Sequence, residues 1–426
     1  MPIGVGVIGA GVVGGGVIKT LLTNAAVVKA KCGVDLALVH VADVNRARFG
    51  EFDLAGVAVS GDAGTLIEDP NVHVVCELIG GIQPARQFIL DALSAKKHVV
   101  TANKMLLAHH GPELCKAAVD NGVELRFEAA VAGGIPIIKS LREGLAANRM
   151  EFIYGILNGT CNYILSRMTY DGLEFDDALK QAQQLGFAET PPDLDIEGHD
   201  TAHKCQIIAS LCFSTEIDLD AIHVEGVTNV THADVAYARE MGYLIKLLAV
   251  VRAHDGEIEV RVHPTLVPED HLLASVRNEF NAIYVKCDIA DATLYYGRGA
   301  GRMPTASAVV ADIIDIATRG DGPVPPPFVY SAKRRIRDMG HIVGRYYLRL
   351  TTKDKPGVLG RVCTSLGNHG VSIASVIQKE KHEFDRAHVV LMTHEALESS
   401  VFSALKEIDV PDLVHEPTHV LRVLND

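Results

Sequence analysis

Residues 3–22 read IGVGVIGAGVVGGGVIKTLL, a pattern that predicts a buried strand, a glycine turn and a helix. Gly9, Gly11 and Gly14 form a G-x-G-x-x-G string at the strand-to-helix junction, with Val12 and Val13 inside it. Such glycines allow a tight turn and let a pyrophosphate approach the helix N-terminus closely. A lone G-x-G-x-x-G string is common, but here it follows a strand and opens a helix, the context that dinucleotide binding requires.

A second predicted strand, residues 36–41, leads to Asp43. An acidic residue at this place hydrogen-bonds the adenosine ribose hydroxyls and repels a 2′-phosphate, so we expect NAD in preference to NADP. The alternative is that Asp43 only caps a loop. Arg46 and Arg48 lie close enough in sequence to receive a phosphate, which keeps NADP open.

Two further apolar runs, VHVVCELIGG and KKHVVTANK, predict strands separated by a helix over 84–95. This alternation is typical of a parallel sheet whose ligand loops follow the strand C-termini. Ile79, Gly80 and Lys104 are therefore expected along the cofactor crevice, although Lys104 taken alone is equally an ordinary surface lysine. The string EAAVAGGIP, after one more strand, predicts a domain junction.

The stretch 182–204, AQQLGFAETPPDLDIEGHDTAHK, concentrates charge beside an apolar helix. Asp200 and Lys204 are four residues apart and would share a helix face that continues into Ile207 and Ile208. Burying such a pair costs several kcal/mol per uncompensated ion, so its placement indicates a functional role. The ordinary reading is a surface ion pair on a helix. The preceding loop adds a set of carboxylates that suits a substrate with a positive charge: Glu189, Asp193 and Asp195.

The remainder of the chain predicts a mixture of elements. Asn158, Gly159 and Thr160 form a turn before a helix, and such a turn offers N–H groups and a hydroxyl to a carboxylate, or is a plain helix cap. We predict a long helix over 233–251 and strands near 257–266 and 282–288. A second glycine loop, ending at Gly301, precedes a helix beginning near Pro304 and is expected to close over the cofactor.

The string GDGPVPPPF, residues 320–328, predicts a linker, and the residues beyond it alternate strand, helix, strand, strand, helix. The fold class is therefore α/β with three domains: a doubly wound Rossmann domain over 1–135, an α+β catalytic and dimerisation domain over 136–319, and a ferredoxin-like unit over 345–426.

Composition narrows the function. The chain has 426 residues and a formal net charge of -13, which argues against nucleic acid or an anionic membrane as partner. Its 8 cysteines lack metal-site or disulfide spacing. The N-terminus has no basic leader, and no apolar run is expected to span a membrane, so we expect a cytoplasmic protein acting on small molecules.

Four motifs resemble the homoserine dehydrogenase family, in the longer form with a C-terminal ACT domain: GAGVVGGGV, TANK, GILNGTCNYIL, and A-x3-GFAE followed by P-x2-DIEGHD-x3-K. The last is the most specific. GRGAGRMPTASAV resembles the family's second cofactor loop, and KPGVLGRV with NHGVSI resembles an ACT ligand edge. The chain departs from the family at Pro191, where Asp, Asn or Ser is usual, and at Ala42, where relatives that use NADP often have arginine.

The resemblance implies interconversion of L-homoserine and L-aspartate 4-semialdehyde with NAD or NADP. It implies that Lys204 exchanges the proton of the substrate oxygen and that Asp200 orients lysine and substrate. Glu189 and Asp195 would hold the amino group, with Gly159 and Thr160 completing the pocket. Burial lowers the pKa of such a lysine and neighbouring carboxylates raise it. His199 and His203 are rival acid/base groups on other helix faces.

The resemblance also implies a monovalent-cation site for Na⁺ or K⁺ made by Glu128 and the backbone of Val131, Gly133 and Ile135, although the same string would serve as a structural turn. It further implies threonine as effector at a paired ACT edge, and a homodimer or homotetramer. The effector residues would be Asp354, Gly357 and Asn368; a dimerisation module that binds nothing is the alternative.

Two rival functions remain at this point. One is another Rossmann dehydrogenase that acts on aspartate semialdehyde by acyl transfer, for which Cys161 is the candidate nucleophile. The other is a catalytically silent amino-acid sensor, against which the presence of both Asp200 and Lys204 argues.

Overall fold

The computed structural model describes residues 2–319, 324–379 and 385–425. The predicted linker begins at residues 320–323, which lie outside the described residues. The chain forms two compact units, each assembled from separate segments: the first unit comprises Met1–Leu157, Ala202–Ala221 and Phe280–Arg334, and the second unit comprises Asn158–Thr201, Ile222–Glu279 and Arg335–Asp426.

The elements run as follows. Up to residue 157 they are β1 (Ile3–Ile8), α1 (Val12–Cys32), β2 (Leu36–Ala42), β3 (Ala58–Ser60), α2 (Ala63–Glu68), β4 (Val74–Glu77), α3 (Ala85–Ser94), β5 (His98–Thr101), α4 (Lys104–Asn121), β6 (Leu125–Arg126), α5 (Ile137–Lys139) and β7 (Met150–Ile156). The middle of the chain contains α6 (Gly159–Asp171), α7 (Phe175–Gln184), α8 (Asp193–Ile196), α9 (His199–Phe213), β8 (His223–Val224), α10 (His232–Glu240), β9 (Tyr243–Ala253), β10 (Glu257–Pro268), β11 (Phe280–Cys287), β12 (Asp291–Arg298) and α11 (Arg302–Arg319). The last part contains β13 (Arg335–Ile336), β14 (Val343–Thr352), α12 (Val358–Asn368), β15 (Ile373–Gln378), β16 (Ala387–Thr393), β17 (Ala396–Leu397), α13 (Glu398–Ile408) and β18 (His419–Val423).

The first unit contains the predicted doubly wound sheet. Its strand order is β3-β2-β1-β4-β5-β6, and all pairs are parallel. β1 pairs with β2 on one side and β4 on the other, so the strand order reverses there, and a ligand crevice is expected beyond its carboxyl end. Val5 and Val7 of β1 are fully buried, as a central parallel strand requires.

Helix α1 corrects one expectation. Its 21 residues are long and apolar enough to cross a membrane by length and composition, whereas the sequence reading expected no such run. In the structure this helix lies beside the sheet, with Gly14 to Ile18 and Leu21 buried. Because Gly16 has no Cβ, α1 approaches α11 closely: an added Cβ would lie 2.4 Å from the Arg302 carbonyl oxygen. The N-terminal half of α1 is thus packed in the first unit, whereas Leu22 and Val27 of its C-terminal half are exposed.

A three-stranded antiparallel group, β7-β11-β12, also belongs to the first unit. In the second unit β9 and β10 are antiparallel, β10 pairs in parallel with β18, and β18, β14, β16 and β15 continue antiparallel. The strands predicted near 257–266 and 282–288 are therefore confirmed as β10 and β11.

The helix predicted over 233–251 was wrong. α10 ends at Glu240, Gly242 adopts a left-handed φ of 79°, and the apolar run that follows is strand β9. Eight consecutive residues of β9 are buried, so its sequence lacks the alternation that would separate a strand from a buried helix. The sequence IIKSLREGLAANRM, residues 137–150, also predicts a helix, but the structure has only the short α5 there, followed by a π-helix at 140–144.

In the C-terminal part the order strand, helix, strand, strand, helix is confirmed by β14, α12, β15, β16 and α13. The sequence reading did not include β18, which follows α13 and returns to pair with both β14 and β10. Tyr346, Leu348, Val362 and Leu405 lie in the apolar core of this part.

Candidate active site

A cavity of about 740 Å³ lies beyond the carboxyl ends of β1, β2 and β4 in the first unit. Its lining includes seven residues predicted to bind the cofactor: Gly9, Gly11, Val12, Val13, Asp43, Ile79 and Gly80. Three others lie elsewhere. Gly14 is buried below the turn, Lys104 begins α4 directly after the lining residue Asn103, and Gly301 precedes α11.

The glycine turn has no room for side chains at two of its three positions. Gly9 has a left-handed φ of 95°, and an added Cβ on Gly14 would lie 1.7 Å from the Gly9 carbonyl oxygen. At Gly11 the nearest atom would be 3.7 Å away, in the Arg48 side chain. The turn therefore leaves open space over Gly11, where a pyrophosphate would approach the N-terminus of α1.

Asp43 is buried at the rim of this cavity and already holds several donors. Its carboxylate accepts hydrogen bonds from the backbone N–H of Ala10 (2.7 Å) and Asn45 (2.7 Å), and from Arg48 (3.0 Å). Burial raises the pKa of Asp43, but these hydrogen bonds outweigh it and hold the pKa below its usual value. Arg48, named in the sequence reading only as a phosphate ligand, is thus an ionic partner of Asp43.

Glu77, at the end of β4, was missed by the sequence reading. It is fully buried, and its Oε1 accepts the N–H groups of Ile79 (2.9 Å) and Gly80 (3.3 Å), while Oε2 accepts the Thr101 hydroxyl (2.8 Å). It therefore shapes the loop predicted to contact the cofactor. The signal was a lone glutamate inside the apolar run VVCELI, whose burial needs polar partners.

In the second unit, Asn158 organises the predicted substrate carboxylates. It caps α6, with its Oδ1 accepting the Cys161 N–H (2.8 Å), and its Nδ2 donates to Asp195 (2.7 Å) and to Asp200 (2.9 Å). The Thr160 hydroxyl lies 3.1 Å from the other oxygen of Asp195. The structure therefore brings together three predicted residues, Thr160, Asp195 and Asp200, through Asn158, which the sequence suggested only as a turn or helix-cap residue.

Two other predicted substrate residues differ in placement. Gly159 packs so closely on the backbone of Glu279 that an added Cβ would lie 2.8 Å from its carbonyl oxygen. Glu189 is exposed in the segment before α8, beside the cis peptide bond of Thr190–Pro191. Glu189 is thus more exposed than Asp195, which is half-buried, and Asp200, which is buried.

Helix α9 carries Asp200 and Lys204 one turn apart, and both are nearly fully buried at 5% and 8% exposure. The Lys204 ammonium donates to the carbonyl of Leu157 (2.7 Å). A buried lysine and aspartate on one helix exclude the reading of a solvent-exposed surface pair. Of the rival histidines, His199 is exposed, and the ring of His203 lies against that of His109 at 5.5 Å.

Cys161 is buried, and its thiol lies 3.1 Å from the carbonyl oxygen of Asp195. A nucleophilic cysteine needs an accessible thiolate. The geometry does not favour acyl transfer at this residue.

The predicted cation residues surround a turn in the first unit. Glu128 is buried, and its two carboxylate oxygens accept the N–H groups of Ile138 (2.9 Å) and Lys139 (2.7 Å). Burial raises the pKa of Glu128, and these amides oppose the change. In the following turn, Val131 to Ile135, Ala132 and Gly133 both have left-handed φ angles. Within the described residues no group of three or more His, Cys, Asp or Glu is placed to hold a metal.

The predicted effector residues lie at opposite ends of α12. Asp354 and Gly357 precede its first residue, Asn368 is its last, and all three are exposed. Since α12 has 11 residues, its ends are roughly 15 Å apart. One chain does not bring the three residues onto one small ligand.

Comparison with known proteins follows the same division of the chain. Residues 9–128 match the family model described as "Homoserine dehydrogenase, NAD binding domain", residues 136–314 match "Homoserine dehydrogenase", and residues 346–410 match "ACT domain". A homoserine dehydrogenase of Neisseria gonorrhoeae is 43% identical over 99% of this chain and 98% of its own length, and one of Pseudomonas aeruginosa is 41% identical over 99% of each. The crystal structure of a homoserine dehydrogenase from Thiobacillus denitrificans is 42% identical and superposes with a TM-score of 0.94, over 100% of this chain and 99% of that one.

Proposed function

This chain belongs to the homoserine dehydrogenase family of NAD(P)-dependent oxidoreductases acting on a CH–OH group, and from that premise we propose how its residues oxidise homoserine. The observation that carries the proposal is the pair of buried residues on α9, Asp200 and Lys204, with Asp200 held by the same asparagine that holds Asp195.

In this proposal Lys204 takes the proton of the substrate hydroxyl during oxidation and returns it during reduction. Asp200 orients the lysine and the substrate. Asp195 accepts hydrogen bonds from the substrate ammonium group, and the Asn158 amide holds that carboxylate in place, with Thr160 beside its other oxygen. Glu189 is a further ligand of the ammonium group, added from the exposed segment before α8. A carboxylate set of this kind suits an amino acid, because a buried anion needs a compensating positive charge.

The residues beyond β1 fit a dinucleotide. Gly14 permits close packing of the turn, Gly11 leaves space for the pyrophosphate, and Asp43 lies where the adenosine ribose is expected. When bound, the nicotinamide supplies the hydride acceptor. We propose that Ile79 and Gly80 line its crevice, with Lys104 and Gly301 contributing from the starts of α4 and α11.

Reaction assays separate this function from its rivals. We expect reduced nicotinamide to form when homoserine is added with NAD or NADP, without phosphate or arsenate. Acyl transfer to a cysteine would instead require phosphate or arsenate with the semialdehyde, and a sensor would give no turnover. Burial of the Cys161 thiol disfavours the first rival, and burial of both Asp200 and Lys204 disfavours the second.

We propose that NAD is preferred over NADP and that Asp43 and Arg48 set the ratio in opposite directions. Asp43→Ala should raise the KM for NAD by roughly tenfold, because charged hydrogen bonds to the ribose are lost, while the released Arg48 favours the 2′-phosphate of NADP. The matched variant Arg48→Ala leaves Asp43 without its counter-ion and should shift preference further toward NAD. KM values for both cofactors measure this. Equal ratios in the wild-type enzyme and both variants would mean that neither side chain faces the ribose.

A monovalent cation, Na⁺ or K⁺, is proposed at the turn that follows Glu128. Hard cations are bound by oxygen ligands, and the Val131, Gly133 and Ile135 carbonyls would supply most of them. The Glu128 carboxylate already accepts two backbone N–H groups, which limits its capacity to coordinate a cation. The backbone carbonyls would therefore be the main ligands. Activity measured in Na⁺, in K⁺ and in a bulky organic cation tests the requirement.

We propose feedback inhibition by threonine through the ACT region. Because Asp354 and Gly357 are far from Asn368 along α12, an effector that uses all three residues would need two chains paired at this edge. Asn368→Ala should therefore raise the threonine concentration for half-inhibition by roughly 5- to 150-fold, with kcat unchanged in its absence. If threonine inhibits the variant and the wild-type enzyme equally, inhibition arises elsewhere, for example at the homoserine pocket. Deleting the C-terminal part is a poor test, since it would remove β18 from β10.

A homodimer or homotetramer is proposed, with a second copy covering the outer face of β7-β11-β12. Aromatic rings stack in this group of strands: half-buried Phe152 lies 4.7 Å from buried Tyr154, and half-buried Phe280 lies 5.1 Å from Tyr296, which is more than half exposed. Exposed aromatic side chains such as Tyr296 are enriched at protein interfaces. Sedimentation velocity of the full chain measures the assembly.

A cytoplasmic location remains a prediction.

A further inference from the structure

The turn between α8 and α9, residues 197–198, joins the helix of Asp195 to the helix of Asp200, and we call it the carboxylate loop. It contacts the segment that follows β8. The Val227 N–H donates to the Ile196 carbonyl at 2.8 Å. Gly226 packs so tightly below the turn that an added Cβ would lie 2.2 Å from that same oxygen and 2.5 Å from the Glu197 Cα. Any displacement of residues 225–227 must therefore displace the backbone that holds the two carboxylates.

Glu225, the first residue of this segment, is bound by the last strand of the chain. Its two carboxylate oxygens accept hydrogen bonds from Arg422 of β18, at 2.8 and 3.0 Å, and one of them also contacts His223 at 2.7 Å. The same guanidinium donates two further hydrogen bonds, at 2.9 and 2.6 Å, to Glu398, which begins α13. Arg422, which is buried, thus connects the C-terminal part to residues 225–227, the segment that contacts the carboxylate loop.

The charges at this junction are strongly coupled. Burial opposes ionisation of Glu225, but its hydrogen bonds with His223 and Arg422 outweigh burial and hold its pKa well below the usual range. Burial likewise opposes protonation of Arg422, yet its two carboxylate partners raise its pKa. The Arg422 side chain is 6% exposed and that of Glu225 is 35% exposed, and the two parallel hydrogen bonds between them fix the geometry of the pair.

We propose that the Glu225–Arg422 pair is a positioning device for substrate recognition: it fixes the height of residues 225–227 and thereby the places of Asp195 and Asp200. This inference rests on the proposed function, because it assigns the homoserine ammonium group to those carboxylates. It also means that strand β18 supports the substrate site through the contact of Arg422 with Glu225. The linker after α11 has no part in this contact.

Two conservative variants test the pair. Glu225→Gln keeps the shape of the side chain but removes its charge, and Arg422→Lys keeps the charge but loses the fork that reaches both carboxylates. Each should raise the KM for homoserine by roughly tenfold, the middle of the range for coupled neighbours, while the KM for NAD stays within about twofold of wild type. The double variant should be little worse than either single variant, since both break one contact.

Tyr347→Phe is the matched control. The Tyr347 hydroxyl donates to buried Asp234 of α10 at 3.0 Å, so its loss also removes a buried hydrogen bond between β14 and the middle of the chain. That contact does not lead to residues 225–227. We expect Tyr347→Phe to lower the unfolding temperature without changing the KM for homoserine.

The outcomes are distinguishable. If Glu225→Gln and Arg422→Lys lower the unfolding temperature as the control does and leave the KM for homoserine unchanged, the pair is merely structural and the inference is wrong. The same holds if the KM values for homoserine and NAD rise together, because the effect is then not confined to the carboxylate loop. If the wild-type chain itself gives no homoserine-dependent reduction of NAD or NADP, the proposed function fails first, whatever the variants do.

Discussion

Lys204→Ala is expected to lower kcat by roughly a hundredfold to ten-thousandfold in both reaction directions, with cofactor affinity nearly unchanged. The buried ammonium group is the proposed acid and base for the substrate oxygen, and it donates a hydrogen bond to the Leu157 carbonyl. Removing it leaves no group of suitable chemistry at the same position on α9. Stopped-flow or steady-state rates with homoserine and with the semialdehyde, together with a dissociation constant for NAD, measure the two parts of the claim.

His203→Ala provides the control for this variant. His203 neighbours Lys204 in sequence, is equally buried, and packs against the ring of His109. We expect its loss to change stability more than kcat. A near-normal kcat for Lys204→Ala combined with a large loss for His203→Ala would transfer the acid/base role to the histidine.

Gly11→Ala and Gly14→Ala should both lower activity strongly at limiting NAD, by two different physical routes. An added methyl group at Gly14 would overlap the Gly9 carbonyl oxygen at 1.7 Å, so we expect the apo protein to unfold at a clearly lower temperature. At Gly11 the nearest protein atom is 3.7 Å away, so the apo protein should keep its unfolding temperature. There the methyl group would instead occupy the space of the pyrophosphate and weaken NAD binding by at least roughly tenfold.

Thermal unfolding with and without NAD separates these routes. The wild-type protein should gain stability on adding cofactor, since a ligand that binds only the folded state shifts unfolding by mass action. Gly11→Ala should unfold at the wild-type temperature without NAD but should not be stabilised when NAD is added. Gly14→Ala should already unfold at a lower temperature without NAD. If Gly11→Ala still responds to NAD as the wild-type protein does, the dinucleotide does not cross the turn at this residue.

The fold was predictable where local and global signals agree. The string around Gly9 and Gly14 needs a strand before it and a helix after it, and the structure has both. β9 was not predictable in the same way, because its residues are buried on both faces. Its apolar run therefore shows neither the two-residue alternation of a half-buried strand nor the 3.6-residue repeat of an amphipathic helix. The pairing of β18 with β10 joins residues 157 positions apart, such as Thr265 and Arg422, and no short pattern in the sequence indicates it.

The candidate site divides similarly. The residue types of Asp200, Lys204 and Asp195 suffice to indicate chemistry with a charged amino acid. Asn158 and Glu77 were not anticipated, because they act through hydrogen bonds to residues distant in sequence or to loop backbone. The sequence around Asn158 indicates a helix cap and nothing more. In the structure its side-chain amide also donates hydrogen bonds to two carboxylates from different helices, those of Asp195 and Asp200.

The central claim is that the carboxylates of Asp195 and Asp200 recognise the ammonium group of homoserine, and a comparison of two substrates tests it most directly. Initial rates would be measured for homoserine and for 4-hydroxybutyrate, which has the same hydroxyl and carboxylate but no amino group, with the wild-type enzyme and with Asp195→Asn. We expect kcat/KM of the wild-type enzyme to favour homoserine strongly and this preference to collapse in Asp195→Asn, which keeps the size of the side chain and loses its charge. An equal preference for homoserine in both proteins would contradict the account.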